Sequence, residues 1–152
     1  MIQRIQTLFL TIGLVLMGLL FILPLGNVAA GDTVYSFTIN GIVDGSNGTT
    51  VVGFWYLLCL SAIIVLLQLV SILLFKKRVL QSKLAICNLI LMIGFVLIAW
   101  LAVKGSLSTL GNGISSLKLP LIFPIISAVL NYLASRAIKK DEALVRSVDR
   151  IR

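Results

Sequence analysis

The chain has 152 residues, a formal net charge of +8, and is 59% hydrophobic but only 12% charged; its mean hydropathy is +1.12. That balance excludes an ordinary soluble domain and places the chain in the membrane class. With no histidine and two cysteines, it leaves almost nothing from which to build a zinc or haem site, and no metal or cofactor is expected.

A bilayer core about 30 Å thick needs roughly 20 apolar residues in a helix rising about 1.5 Å per residue. Residues 5–25, 54–75, 84–103 and 119–138 each reach that length. The expected fold class is therefore an all-α membrane protein, a bundle of four transmembrane helices forming one domain over residues 1–152.

Arg4, the apolar run and Val28-Ala29-Ala30 together resemble a secretory signal and its cleavage site. Residues 5–25 exceed the roughly 7–15 residues of such a core, so a retained anchor is the expectation. The first helix should stop at Pro24, with Gly26 just beyond, because proline lacks a donor and glycine tolerates the exit geometry. In the loop 26–53 the period changes. Tyr35, Phe37 and Ile39 alternate with Val34, Ser36 and Thr38, which is strand periodicity. Asn40-Gly41 and residues 45–48 are turn signals, so a small extracytoplasmic β-hairpin is expected, resting its Tyr35/Phe37 face on the helices or on a partner. Asn47-Gly48-Thr49 reads as a turn, although it also matches a glycosylation acceptor.

Cys59 and Cys87 fall inside spans and read as small apolar fillers. Trp55 begins the second span and Trp100 ends the third, at the level where amphipathic rings prefer to sit. Residues 105–116 are rich in Gly, Ser and Asn without alternation and read as a loop, with Ser115 or Ser116 capping the fourth helix, Pro120 in its first turn and Pro124 bending it. In the tail, residues 139–152, Leu144, Val148 and Ile151 form an apolar stripe and Glu142 precedes Arg146 by four residues. Leu144, Arg146, Val148, Arg150 and Ile151 are the candidates for contact with lipid or a partner through an amphipathic cytoplasmic tail.

Of the thirteen Lys and Arg residues, all but Lys104 and Lys118 fall on one side of this threading. Cations gather on the cytoplasmic side, so both termini are expected in the cytoplasm and the hairpin outside. The surplus charge flanks spans and accompanies no helix-turn-helix or zinc-finger pattern, so nucleic acid is not an expected partner.

Polar residues within the spans are the only candidates for chemistry, because burying one in hydrocarbon costs free energy unless it is paired. Ser127, Asn131 and Ser135 form a stripe on the fourth helix. Asn131 and Gln68 each lie about 12 Å from the lysines ending their helices, and Asn88 about 8 Å from Lys83. With Thr7, Thr11 and Ser71 they are expected to share one layer. It reads either as packing glue, helped by Gly13, Gly18, Gly94 and Ala134, or as a cytoplasm-facing pocket for a lipid headgroup or small polar solute. No acidic residue lies within a span and no histidine can act as base, so an enzyme is not expected.

The opening Met1-Ile2-Gln3-Arg4-Ile5-Gln6-Thr7 and the closing run from Lys140-Asp141-Glu142-Ala143 through Val148-Asp149-Arg150-Ile151-Arg152 resemble the domain of unknown function 4293 family, small four-span membrane proteins of Bacteroidota. The resemblance implies a bacterial inner-membrane location and supplies no activity. The chain is also similar in architecture to claudin-like proteins, without their paired loop cysteines. The functional expectation is a non-catalytic accessory or scaffold subunit that contacts lipids and binds another membrane protein or itself. The alternative is a lipid or solute carrier using Gln68, Asn88, Ser127, Asn131 and Ser135.

Overall fold

The computed structural model describes residues 2–30, 33–45, 47–75, 77–109 and 114–149. In chain order the elements are α1 (Ile2–Leu19), β1 (Gly26–Ala30), β2 (Thr33–Thr38), β3 (Gly41–Asp44), β4 (Thr50–Gly53), α2 (Trp55–Leu73), α3 (Arg78–Thr109), β5 (Ile114–Leu117), a 3-10 turn (Leu119–Ile122) and α4 (Phe123–Asp149). The strands form a five-stranded antiparallel sheet in the order β4-β3-β2-β1-β5.

Three parts of the sequence expectation are corrected. The protein is not all-α: in place of a lone hairpin there is a sheet whose β1 pairs with β2 on one side and β5 on the other. Nor are there four helices of crossing length among the described residues. Three there are long and apolar enough to cross a membrane, within Trp55–Leu73, Arg78–Leu107 and Leu119–Leu144, which marks the chain as a membrane protein. The apolar part of α1, Ile5–Leu19, falls short: it spans about 22 Å at 1.5 Å per residue, against a core of about 30 Å. Composition counted residues 20–25 into that helix, but the chain spends Leu20 to Leu23 in turns and enters β1 at Gly26. The C-terminal segment is not a separate tail either, since α4 continues through Lys139 and Lys140 to Asp149.

All four helices bury a stripe spaced alternately by four and three residues. It runs through Gln6, Leu10, Gly13 and Met17 on α1, continuing to Leu20 just beyond it, and Leu57, Ser61, Ile64, Gln68 and Ser71 on α2. On α3 it is Gln81, Ala85, Asn88, Met92, Phe95, Ala99, Ala102 and Ser106, and on α4 Pro124, Ser127, Asn131, Ala134 and Ile138. Such spacing is the seam of helices packed side by side at a small left-handed angle. The buried stripes mix small and polar residues such as Gly13, Ser61, Gln68, Ala85, Asn88 and Asn131 with large apolar ones such as Leu57, Ile64, Met92 and Phe95, while Leu8, Ile12, Ile63, Leu66, Ile90 and Val129 stay exposed. Polar and small residues inside with large apolar ones outside suit a hydrocarbon solvent, where close approach and interhelical hydrogen bonds drive packing. The heaviest pairings are α3 with α4 and α1 with α4.

The sheet caps one end of the helices. As the alternation implies, Phe37 and Ile39 point inward, only 1% and 2% exposed. With Val28, Ile42 and Phe54 they join Met17, Ile64, Met92 and Phe95 in one apolar cluster, so sheet and helices share a core. Phe37 meets Phe54 edge to face at 5.8 Å, a geometry that aromatic quadrupoles favour. The Leu25 amide donates to Phe37 O and the Lys118 amide to Leu25 O, tying the entries of β1 and the 3-10 turn together. Pro120 sits in that turn and Pro124 in the first turn of α4, where a missing amide proton leaves no bond unmade. The cap expected from Ser115 or Ser116 is absent from this position, since both residues belong to β5 and Lys118 holds the N-cap without a side-chain bond.

Candidate functional site

Within the helices, Gln68, Asn88, Ser127 and Asn131 lie in one tier, each fully buried. Gln68 on α2 joins two neighbours: its Nε2 donates to Leu10 O on α1 at 2.9 Å, and its Oε1 accepts from Asn88 Nδ2 on α3. Ser127 Oγ on α4 donates to Gly13 O on α1 at 3.3 Å. Asn131 Nδ2 donates to Ser127 O at 2.9 Å and lies 3.5 Å from Met92 Sδ on α3. Gly13 makes the tier possible. A Cβ there would stand 3.0 Å from Gln68 Nε2 and 3.7 Å from Asn131 Nδ2. Gly18 and Gly94, by contrast, have nothing within 4 Å of such a position and do not serve as close-approach points.

The tier separates two apolar clusters, the large one shared with the sheet and a small one of Leu10, Ala85 and Ala134. Beyond the small cluster lies a second polar tier that includes Ser135. Its Oγ is 3.0 Å from Ser82 Oγ on α3, one helical turn further from the sheet than Asn131. Ser71, Gln6 and Gln81 are also buried at this end. The single layer expected from sequence is thus two. Thr11 turns its hydroxyl to Thr7 O on the exposed face of α1 and joins neither. Gln6, Gln81 and Ser82 were not singled out by sequence reasoning, although the four-three spacing that runs from Gln81 through Ala85 to Asn88, and from Gln6 through Leu10 to Gly13, carried the signal. Cys59 and Cys87 are free and exposed on the helix surface, so they do not fill the interior.

The first tier, the upper one nearer the sheet, is fully buried. Grooves of about 540, 410, 500 and 360 Å³ lie on the described surface, and none is lined by Gln68, Asn88, Ser127, Asn131 or Ser135. The amides and hydroxyls bond across helices or to their own backbone, leaving the Oδ1 atoms of Asn88 and Asn131 without partners. No group of three or more His, Cys, Asp or Glu side chains able to hold a metal occurs among the described residues.

Charge is unevenly placed along the helices. Lys77, Arg78, Lys83, Arg136, Lys139 and Lys140 lie toward the end away from the sheet, and Lys104 and Lys118 at the sheet end. Arg78 Nη1 stands 2.8 Å from Asp141 Oδ2, an ion-pair distance between the start of α3 and the far part of α4, though without the alignment of a hydrogen bond. At the sheet end, Lys104 Nζ lies 4.1 Å from the centre of the Trp100 ring, a cation–π distance. Of the tail candidates, Leu144 is 50% exposed on α4; the side chains of Arg146 and Val148, and Arg150 and Ile151 altogether, lie outside the described residues.

A family model described only as a domain of unknown function (DUF4293) matches residues 2–151. No curated protein matches the chain.

Proposed function

The chain belongs to the DUF4293 family, a family described by no activity, and from that premise we propose that it is a non-catalytic accessory or scaffold subunit that binds another membrane protein. The observation that carries this reading is the buried upper tier: Gln68 spends both ends of its amide on α1 and α3, and Gln68, Asn88, Ser127 and Asn131 are all fully buried. A carrier needs such groups to face a cavity that a solute can enter. A subunit that works through its surfaces needs them to hold its frame.

In this reading the protein sits in a bacterial inner membrane with its sheet outside. The cation-rich end, near which α1 begins and α4 ends, faces the cytoplasm, as cation bias favours, and anionic lipid holds it there. Two surfaces suit a partner. β4 is an outer strand of the sheet, paired with β3 alone among the described residues, and an unpaired strand edge accepts another strand. The distal part of α4 presents Leu144, half exposed.

Photo-cross-linking residues placed at Val51 and at Leu144 in native membranes test the proposal. The expected outcome is one discrete protein adduct at one or both positions, of the same mass in repeated preparations. Adducts to lipid alone, together with a solubilised protein that migrates as a single chain, would remove the partner from the account.

A further inference from the structure

The groove of about 540 Å³ lies at the end away from the sheet and is lined by α1, the residues just after α2, and the first turn of α3. Its polar lining residues are Gln6, Thr7, Thr11, Arg78 and Gln81, and its apolar ones Leu8, Ile12 and Phe75. Gln6 is 4% exposed, yet its Nε2 has no hydrogen-bond partner. A buried, unpaired amide donor costs about 1–3 kcal/mol, a cost that a ligand acceptor would remove. The Arg78 side chain is 28% exposed while one of its nitrogens holds Asp141, and a guanidinium carries five donors in all. Arg78 is also the first residue of α3, where the helix dipole favours an anion. Next to this donor set, Leu8, Ile12 and Phe75 are 54%, 43% and 58% exposed, so the groove opens sideways along the apolar surface of the helices.

We propose that this groove is a binding site for one anionic phospholipid, its phosphate held by Arg78 and Gln6 and an acyl chain laid along Leu8 and Ile12. The juxtaposition selects the ligand. Donors alone would suit any phosphate, but a wall of exposed apolar side chains running from them along α1 fits a phosphate that carries a hydrocarbon chain. The depth agrees too, since Lys77, next to Arg78 in the chain, lies at the end where headgroups would lie in the orientation proposed above. The site rests on that membrane reading but not on the existence of a protein partner.

Native mass spectrometry of the full chain, released from nanodiscs containing phosphatidylglycerol and phosphatidylcholine, tests it. The expected result is one retained phosphatidylglycerol, reduced about tenfold by Arg78→Gln, the loss of one charge-assisted contact, and about threefold by the near-isosteric Gln6→Leu. Asp141→Asn is the decisive control. It breaks the same ion pair but leaves the guanidinium in place, so it should keep or strengthen lipid retention, whereas a merely structural Arg78 would make both variants lose lipid alike. Equal retention by wild type and Arg78→Gln would overturn the proposal. So would displacement of the lipid by inorganic phosphate alone, which would make the acyl wall irrelevant, or an equal loss on substituting the exposed Lys83.

Discussion

Replacing Gln68 with leucine is expected to lower stability by about 2–3 kcal/mol, the largest effect of any single side-chain change among the buried polar residues. Gln68 is the side chain that bonds to two other helices, donating to Leu10 O and accepting from Asn88 Nδ2. Interhelical hydrogen bonds in membranes contribute about 0.6 kcal/mol on average and up to about 1.7. Leucine removes both and leaves the Asn88 amide, whose Oδ1 is already unpartnered, with neither end satisfied in a dry interior. Asn88→Leu should cost about 1–2 kcal/mol, because it strands only Gln68 Oε1. The double variant should be less unstable than the sum by about 1 kcal/mol, since no widowed amide then remains. Equilibrium unfolding in mixed detergent micelles reads all three. Strict additivity would mean that the two side chains do not meet.

Gly41→Ala is expected to be comparably severe for a different reason. Gly41 has φ +148°, and an added Cβ would stand 2.1 Å from Val52 O, a backbone atom of the neighbouring strand. The clash cannot be relieved by rotating a side chain; β4 must move off β3 or the turn after β2 must change. Strain of this kind costs about 1–3 kcal/mol before any loss of pairing, and here it would also disturb Ile42 and Phe54 in the shared core. A loss of about 3 kcal/mol or more, with faster proteolysis between β3 and α2, is the expected outcome. Gly48 provides the comparison. Its φ is +66° and nothing lies within 4 Å of its Cβ position, so Gly48→Asn, a residue that tolerates this conformation, should cost under about 1 kcal/mol. Equal losses at the two positions would contradict the close approach at Gly41.

The same contrast between local pattern and tertiary contact explains how much was legible in the sequence. The inward face of Phe37 and Ile39 could be read from alternation because it repeats along β2 and the residue just after it. β1 and β5 could not. Gly26–Ala30 is glycine, asparagine, valine and two alanines, and Ile114–Leu117 holds two serines; neither has marked strand propensity. They are strands because β1 fits between β2 and a segment some ninety residues distant, a pairing that no local window contains. Helix ends failed in a similar way. Charge was used to bound the third span at residues 84–103, whereas α3 runs from Arg78 to Thr109, because backbone hydrogen bonds propagate regardless of side-chain polarity. In α1 the error had the opposite sign, with apolar residues 20–25 assigned to a helix that had already ended.

For the polar residues, counting helical rise from the flanking lysines brought Gln68, Asn88 and Asn131 to one depth, and the structure joins them around Gly13. The count could not resolve Ser135 into the second tier, because a difference of one turn is within the error of guessing where each helix begins. Gln6 and Gln81 were hidden by their position near charged termini, where a glutamine reads as an interfacial residue. Only the four-three spacing, which places both on buried stripes that also carry Gly13 and Asn88, distinguishes them.

The account depends most on the upper tier being closed to water and solute. Cysteine accessibility in native membranes tests this directly, in a background with Cys59→Ala and Cys87→Ala, two substitutions at exposed positions. Val51→Cys on β4 and Lys139→Cys on α4 should react readily with a membrane-impermeant maleimide applied to the appropriate side. Asn131→Cys should stay unreactive until the protein is unfolded in SDS. Labelling of Asn131→Cys in the folded protein, at a rate near that of either control, would show an open polar pathway and contradict the closed frame on which the subunit role rests.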